Sequence, residues 1–428
     1  MIDINLIRRD TDGVANNLAR RGVSRAAVDR LKELDEEWLS LTRQVEEMRA
    51  AKNKVSDAIV AARGAEREQM IADMREVSAK LKDAEGDLKR AESERDSAWR
   101  ALPNVLAEGV PDGGSDNFEI VRHGPRAVPE HAFPPKSYLE LGEGNLFNLA
   151  AASRVSGSGF AYILGDLARL QIGLVAWVFD TINETIEKDA DMPFTPVIPP
   201  VLIGETAMAG MGYLGNHAEE VYRTQDDLYL TGTSEQALGP MQIRNKQLET
   251  NLPQRFVGYS SCFRREAGSH GKEVRGLKRL HQFEKIEMFS FTRPEDSEKE
   301  HSFLLGRQER IMQALELPYR VITLAAGDLG APAAKTYDIE TWIPSEQRYV
   351  ETHSTSNTTD YQARRLNIRF KDGNRIRHLH MLNGTALAMS RIFIALLENH
   401  QLQDGSIAVP KVLSRGHYVP FERIAANK

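Results

Sequence analysis

The feature that most constrains the fold of this chain is a proline-free, highly charged segment from residue 25 to residue 102. Apolar residues recur in it at alternating spacings of three and four, in two runs separated by the sequence ARGAEREQ. This spacing is the heptad repeat of a coiled coil. The repeated positions are Leu31, Leu34, Trp38, Leu41, Val45, Met48, Val55 and Ile59, then Met74, Val77, Leu81, Ala84, Leu88, Ala91, Ala98 and Leu102.

The two runs predict an antiparallel coiled-coil hairpin, because Gly64 between them can end the first helix and let the chain reverse. Lys52 and Arg95 stand where each apolar stripe skips a position, and Pro103 stops the second helix. Helices of roughly 35 residues, at about 1.5 Å per residue, give an arm on the order of 50 Å long. The heptads alone leave open whether this arm is a dimerisation element, a spacer or a binding surface.

Length and composition indicate a second, larger domain after the arm. A joint rich in Gly, Pro and Asp follows Pro103, so we assign an N-terminal helical arm to 1–110 and a second domain to 111–428. The single cysteine, Cys262, excludes an internal disulfide and a multi-cysteine zinc site. The N-terminus lacks a signal-peptide pattern, and no apolar stretch is long enough to span a bilayer. We therefore expect a cytoplasmic protein that does not associate with membranes.

The second domain is predicted to be an α+β domain, an antiparallel sheet flanked by helices. Strand-like runs occur at DLYLTG, RFVGYSSCF, KIEMFSF, YRVITL, TYDIETWI and HLHMLNG, and residues 166–188 form an amphipathic helical pattern. Most of the runs are not separated by the long helices that parallel strands need as connections. An antiparallel arrangement is therefore favoured.

The segment 263–289 carries the chemistry expected of a phosphate site. The chain has no Walker A sequence and no G-x-G-x-x-G after a strand, so bound phosphates must be held by side chains. Arginine suits this task because its planar fork donates two hydrogen bonds and stays charged. The alternative for this segment alone is a salt-bridged surface hairpin. Its arginines, with three glutamates close by, are Arg264, Arg265, Arg275 and Arg279, with Glu266, Glu284 and Glu287.

Two further segments carry polar groups in apolar surroundings. In YVETHSTSN, Glu351 and Ser354 supply the hard oxygen ligands that Mg²⁺ prefers. The segment 378–400 reads as a strand, an NGT turn and an apolar helix containing Arg391. An arginine on such a helix face needs an anion or an aromatic ring as a partner. A metal site at His378 and His380 is disfavoured.

Together these segments resemble the bacterial-type seryl-tRNA synthetases, a family of class II aminoacyl-tRNA synthetases, over nearly the whole chain. The resemblance implies a class II core and a homodimer, with the helix at 166–188 and the strand ending at Pro200 building the dimer interface. It implies ATP as substrate with Mg²⁺, and no zinc. It also implies that the arm grips tRNA, which suits recognition of RNA by shape and backbone.

The resemblance also implies roles for individual residues. Arg264 would bridge the substrate carboxylate and the ATP α-phosphate, and Arg391 would reach the γ-phosphate from the other face of adenine; we assign both as catalytic. Glu351 and Ser354 match the magnesium positions, and Glu287 and Thr385 would bind the serine hydroxyl. The ATP set is Arg264, Arg265, Glu266, Arg279, Leu280, Phe283, Glu351, Thr352, His353, Ser354 and Arg391, and the serine set is Thr233, Ser234, Glu235, Arg264, Glu287, Asn383 and Thr385.

The implied reaction has two steps: serine attacks the α-phosphorus of ATP to give seryl-adenylate, and the seryl group then passes to tRNA(Ser), with tRNA(Sec) as a further substrate. His353 departs from the family pattern, in which a small hydroxyl residue precedes Ser354. This departure leaves a first alternative, a paralogue specialised for antibiotic resistance or for a biosynthetic pathway. A second alternative is a catalytically inactive relative that binds tRNA.

Overall fold

The computed structural model describes residues 1–184, 192–215, 218–243, 252–267 and 276–426. The chain divides into two compact units, Met1–Val105 and Leu106–Lys428. Within the described ranges, every helix is too short or too polar to cross a lipid bilayer.

The first unit is entirely helical. The first of its long helices, α3 (Arg25–Ala61), begins at a side-chain cap, where the Ser24 hydroxyl accepts a hydrogen bond from the backbone N–H of Ala27. Two short helices precede it and bury Ile7 and Leu18. The helices are α1 (Ile4–Arg9), α2 (Thr11–Ala19), α3 (Arg25–Ala61) and α4 (Gly64–Ala101).

Helices α3 and α4 pack against each other along the heptad positions, so the predicted antiparallel hairpin is confirmed. Leu31, Val45 and Leu81 are among its buried residues. Gly64 lies at the reversal with a φ of +61°, a left-handed conformation that favours glycine.

At one of the skipped heptad positions, the charged side chain of Arg95 stacks on an aromatic ring. The guanidinium of Arg95 lies 3.8 Å from the ring centroid of Trp38 and also pairs with Asp96. A charge is tolerated at this buried position because it contacts both a π face and a carboxylate.

The second unit is built on an eight-stranded sheet with the order β1-β9-β10-β11-β14-β8-β7-β4. Its neighbouring strands are antiparallel except β4 and β7, which run parallel. The predicted antiparallel sheet flanked by helices is therefore confirmed, with this one parallel pair added. The strands of the sheet are β1 (Glu119–His123), β4 (Phe194–Val197), β7 (Gln254–Phe263), β8 (Gln282–Thr292), β9 (Tyr319–Thr323), β10 (Lys335–Ile343), β11 (Arg348–Asn357) and β14 (His380–Ala388).

Helices cover this sheet and complete its core. Helix α10 packs on β8, β11 and β14, and α12 packs on β8, β10 and β14. Leu304, Met312, Ile392 and Phe393 belong to the resulting apolar cluster. The helices are α5 (Tyr138–Gly142), α6 (Leu149–Ser156), α7 (Gly165–Thr181), α8 (Glu205–Met211), α9 (Glu235–Leu238), α10 (Ser297–Ala314), α11 (Tyr361–Leu366), α12 (Met389–Asn399) and α13 (Lys411–Ser414).

The remaining strands form two-stranded ribbons, β2 with β3, β5 with β6, β12 with β13, and β15 with β16. Their bounds are β2 (Phe147–Asn148), β3 (Tyr162–Ile163), β5 (Leu202–Gly204), β6 (Leu228–Leu230), β12 (Arg369–Asp372), β13 (Arg375–His378), β15 (Ile407–Ala408) and β16 (Arg423–Ile424).

Two local predictions need correction. The turn expected at NGT is wrong, because Asn383, Gly384 and Thr385 lie within strand β14. A Cβ atom on Gly384 would lie 3.0 Å from the Thr355 hydroxyl, so this glycine permits close approach and does not mark a turn. The helix expected at 166–188 is described as Gly165–Thr181, and residues 185–188 lie outside the described residues.

Candidate active site

A cavity of about 400 Å³ opens on the sheet between β7, β8, β11 and β14 and the start of α12. Most of the residues predicted from the sequence line it, although they come from segments more than a hundred residues apart. Those that line it are Thr233, Glu235, Arg264, Glu266, Arg279, Leu280, Phe283, Glu351, Thr352, Ser354, Asn383, Thr385 and Arg391.

Four predicted residues, Ser234, Arg265, Glu287 and His353, stay outside the lining of this cavity as the described residues define it. Ser234 is buried and hydrogen-bonds Ser260, and Arg265 faces a separate shallow depression. Glu287 lies directly behind Lys285, whose ammonium group contacts its carboxylate. Arg275, named with the loop arginines, lies outside the described residues.

One end of the cavity holds two buried carboxyl groups, Glu235 in its lining and Glu287 behind Lys285. The Lys285 ammonium contacts Glu287 and donates to the Thr233 hydroxyl at 3.2 Å. Burial, with the nearby charge of Glu235, raises the pKa of Glu287 to about 7 despite the lysine. Burial likewise raises the pKa of Glu235 and carries that of Tyr213 well above its ordinary value. Because burial disfavours ionisation of these carboxyl groups, a cationic ligand bound here would favour their charged form.

Arg264 stands at the centre of the cavity at the end of β7. Its guanidinium donates to the carbonyl of Gly232 at 3.2 Å and lies 5.2 Å from the ring centroid of Phe283. Its backbone is held by His281, which accepts the Arg264 N–H through its own carbonyl and donates from Nδ1 to the Arg264 carbonyl. The guanidinium is thus fixed near both an aromatic face and the carboxyl pair.

The other end of the cavity carries the ion pair of Arg391 and Glu351, whose charged atoms are 2.6 Å apart. Burial acts to raise the pKa of Glu351, but the charge of Arg391, with Arg264 and Lys285, more than offsets it and holds this pKa below its ordinary value. Arg391 also donates to the backbone carbonyl of Glu351. The carboxylate therefore stays ionised and the arginine stays oriented toward β11.

Oxygen atoms suited to a divalent cation lie beside this ion pair. Asp338 and Ser354 are paired positions on β10 and β11, next to Glu351. Burial first, and then the charge of Glu351, raises the pKa of Asp338 well above its ordinary value. One of its carboxyl oxygens is buried without a hydrogen-bond partner within the described part of the chain. Two carboxyl groups and a hydroxyl fit Mg²⁺, which takes few protein ligands and keeps substrate phosphates in its shell.

The described residues contain no cluster of three or more histidine, cysteine or acidic side chains able to hold a metal by themselves. A cation at Glu351 and Ser354 would therefore be shared with a bound phosphate.

Several cavity residues were missed at the sequence level. Lys285 and Asp338 belong to strands that the pattern identified. Lys285 stands among other charges, with its partner Glu287 two residues further along the same strand, so nothing distinguished it. Asp338 pairs with Ser354 of a neighbouring strand, and no local signal gives that pairing. Tyr213 belongs to no motif, Lys278 lies in the charged segment 263–289 without a role assigned to it, and both line the cavity.

The cavity combines positive charge along its length with an acidic end. Arg264, Arg279, Arg391 and Lys278 line it together with Glu235 and Glu351. Such an arrangement can neutralise a polyphosphate while separate carboxyl groups receive an ammonium group.

Two families of known domains match this chain. Residues 219–400 match the tRNA synthetase class II core domain (G, H, P, S and T). Residues 1–106 match the seryl-tRNA synthetase N-terminal domain. The first match includes most of the cavity residues, and the second includes the helical hairpin.

Individual relatives agree with the domain matches. The chain is 43% identical over 416 residues to a serine–tRNA ligase of Beutenbergia cavernae, covering 96% of both chains. It is 43% identical over 424 residues to a serine–tRNA ligase of Nocardia farcinica, covering 98% of both. The solved seryl-tRNA synthetase of Pyrococcus horikoshii, complexed with ATP, superimposes with a TM-score of 0.91 at 35% identity, over all of both chains. This chain therefore belongs to the seryl-tRNA synthetase family.

Proposed function

We propose that this chain is a serine–tRNA ligase that uses ATP to convert L-serine to seryl-adenylate and then transfers the seryl group to tRNA(Ser). The observation that carries the proposal is the cavity that joins Arg264, Arg391 and Glu351 to Glu235, with Glu287 directly behind Lys285 of its lining. Its relatives named serine–tRNA ligase match over nearly the full length.

In the first step, the serine carboxylate attacks the α-phosphorus in line and pyrophosphate leaves. Arg264 lies between the two ends of the cavity, where it can contact both the carboxylate and the α-phosphate. The adenine ring stacks on Phe283, with Glu266 at its exocyclic amine and the backbone of Leu280 alongside. Arg279 and Arg391 neutralise the outer phosphates. These side chains act by positioning and by charge neutralisation, so the reaction needs no covalent enzyme intermediate.

Glu351 and Ser354, with Asp338 beside them, would hold Mg²⁺. When bound, the cation would offset the charge that develops on the phosphate oxygens. The ion pair with Arg391 keeps the Glu351 carboxylate ionised, as a cation ligand must be, and orients the guanidinium toward the outer phosphates.

Selectivity for serine follows from the polar side chains at the end of the cavity that holds Glu235 and Lys285. Glu287, Asn383 and Thr385 offer hydrogen bonds to a hydroxyl group, and Thr233 and Glu235 receive the amine. A site built around a hydroxyl rejects analogues that lack it by roughly 10⁴–10⁵. Threonine carries the hydroxyl, so it must be excluded by the volume of the pocket.

The hairpin of α3 and α4 is the tRNA-binding arm, and tRNA(Sec) is a further substrate. The enzyme acts in the cytoplasm as a homodimer. A dimer is supported by exposed apolar side chains near β4 and α7, where Ile198 is 80% exposed and Ile172 is 64% exposed.

The test is serine-dependent exchange of labelled pyrophosphate into ATP, run with serine, threonine and alanine and with and without Mg²⁺. We expect exchange with serine and Mg²⁺ only. Well-folded protein that exchanges no pyrophosphate with serine refutes the enzymatic function and leaves the inactive relative. Exchange without charging of tRNA(Ser) instead refutes the transfer step.

A further inference from the structure

Strands β11 and β14 separate beneath the cavity. Within the described residues, their backbone pairing stops at the pair Thr355–Gly384. Just beyond this pair each strand has a β-bulge. Thr352 is an extra residue in β11 relative to β10, and Ala386 is an extra residue in β14 relative to β8. The two bulges leave a gap in the sheet where hydrogen bonds between backbones no longer fix the distance between the strands.

The side chain of His353 crosses this gap. Its Nε2 lies 3.0 Å from the Ala386 carbonyl oxygen, and its Nδ1 lies 3.0 Å from the hydroxyl of Thr352. A carbonyl only accepts, so the ring proton sits on Nε2 and Nδ1 is left as an acceptor facing the Thr352 hydroxyl. That hydroxyl also lies 3.2 Å from the Ile339 carbonyl, to which it donates, and 2.7 Å from the Thr341 hydroxyl. The ring is 1% exposed and is therefore held at both nitrogens within a buried chain of hydrogen bonds.

A second side chain crosses the same gap one position away. The Nε2 group of Gln308, from helix α10, donates to the Ser354 carbonyl at 2.9 Å and to the Thr385 carbonyl at 2.8 Å. Gln308 is fully buried. Two side-chain bridges thus replace the missing backbone ladder at consecutive positions.

These bridges join the two halves of the proposed site. Strand β11 carries Glu351 and Ser354 on the nucleotide side, and β14 carries Asn383 and Thr385 on the serine side. We propose that His353 is a positioning residue for adenylate formation, whose Nε2–H bond to Ala386 sets the distance between the nucleotide strand and the serine strand. The inference rests on the proposed function. In-line attack needs the serine carboxylate and the α-phosphorus aligned, and a 1 Å displacement costs about 10²-fold in rate.

Three substitutions separate positioning from mere packing. His353→Gln keeps an N–H near the position of Nε2, whereas His353→Leu fills the volume without a donor. His353→Asn places its amide near Nδ1, too short to reach Ala386. The matched control is His400→Leu, because His400 also donates from Nε2 to a backbone carbonyl, that of Leu315, at 2.9 Å. His400 does not line the cavity.

The assay is steady-state pyrophosphate exchange by the full chain, with KM for ATP and for serine measured separately, beside thermal unfolding. We expect His353→Leu and His353→Asn to lower kcat by about 10²-fold with both KM values within about twofold, because each half-site keeps its own residues. His353→Gln should recover most of kcat. His400→Leu should lower the melting temperature without changing kcat.

The outcomes distinguish the possible failures. A wild-type chain that exchanges no pyrophosphate with serine refutes the proposed function itself. A wild-type chain that is active, with His353→Leu equal to His400→Leu in kcat, overturns the positioning role. An equal loss of kcat in His353→Gln and in His353→Asn would also overturn the positioning role, because the Nε2 donor would then make no difference. If His353→Leu does not fold, the comparison of the Gln and Asn variants decides alone.

Discussion

The raised pKa of Glu287 predicts an acidic limb in the pH dependence of serine activation. Burial is the largest cause and Glu235 adds to it, while Lys285 acts in the opposite direction, giving a pKa of about 7 against an ordinary value of 4.5. Serine reaches the site as a zwitterion. Ionised Glu287 accepts a hydrogen bond from the serine hydroxyl and adds negative charge beside Glu235, which receives the ammonium group. The kcat/KM for serine should therefore fall as the pH drops through 7.

The size of the effect follows from simple titration. Each pH unit below the pKa lowers the ionised fraction about tenfold, so kcat/KM at pH 6 should be about a tenth of its plateau. In Glu287→Gln the limb disappears. The plateau itself drops, because losing a hydrogen bond to a charged group costs roughly 1.5–3 kcal/mol, or about 10- to 150-fold.

The assay is pyrophosphate exchange between pH 5.5 and 8.5 with saturating ATP, fitted for kcat/KM of serine. The matched control is Glu284→Gln, since burial also raises the pKa of Glu284 but its side chain lies outside the cavity lining. This variant should keep the limb. A second control is kcat/KM for ATP at saturating serine, in which bound serine keeps Glu287 ionised and the limb moves to lower pH.

Two results would refute the reasoning. A flat profile for the wild-type chain would mean that Glu287 is already ionised or does not meet the substrate. A limb that persists unchanged in Glu287→Gln would assign the titration to another group, of which Glu235 is the nearest.

Three further outcomes are expected. Deleting 27–102 should spare pyrophosphate exchange and abolish tRNA charging, and charging that survives the deletion would remove the arm from tRNA binding. Arg391→Ala should lower kcat of exchange by about 10²–10³ and raise KM for ATP, with KM for serine unchanged; a change confined to serine would contradict its phosphate role. Arg255→Met should cost about 3–5 kcal/mol in urea unfolding, because it leaves Glu300 buried without its ion pair, and adding Glu300→Leu should restore most of this loss.

The sequence predicts well those parts of the fold that local periodicity determines. The heptads place Leu31, Val45 and Leu81 on one seam, and these residues are buried where α3 meets α4. The strands of the central sheet could be predicted from the sequence for the same reason, since apolar residues alternate along them. The turn predicted at NGT was wrong because glycine occurs both in turns and where two backbones approach closely. Only the contact of Gly384 with Thr355 in the folded sheet distinguishes the two cases.

The charged residues of the cavity were only partly predictable. Arg391 stands out because an isolated charge on an apolar helix needs a partner, whereas Arg264 lies in the charged run FRRE and is distinguished from its neighbours only by the family resemblance. Lys285 sits beside other charges in its own strand, so nothing in the sequence distinguishes it from a surface lysine. Its position between Glu287 and the open cavity depends on how β7, β8 and β14 pair, which is a property of the sheet.

The spacing of Glu351 and Ser354 illustrates a feature that the sequence pattern does not reveal, a bulge in strand β11. Residues three apart in a regular strand point to opposite faces of the sheet, so this pair should not share a cavity. Both line it, because Thr352 is an extra residue in β11 and shifts the alternation by one. The same shift turns His353 away from the cavity and toward Ala386. A bulge therefore fixes two features together, the paired oxygen ligands above the strand and the imidazole bridge beneath it, and a substitution that removed the bulge would disrupt both.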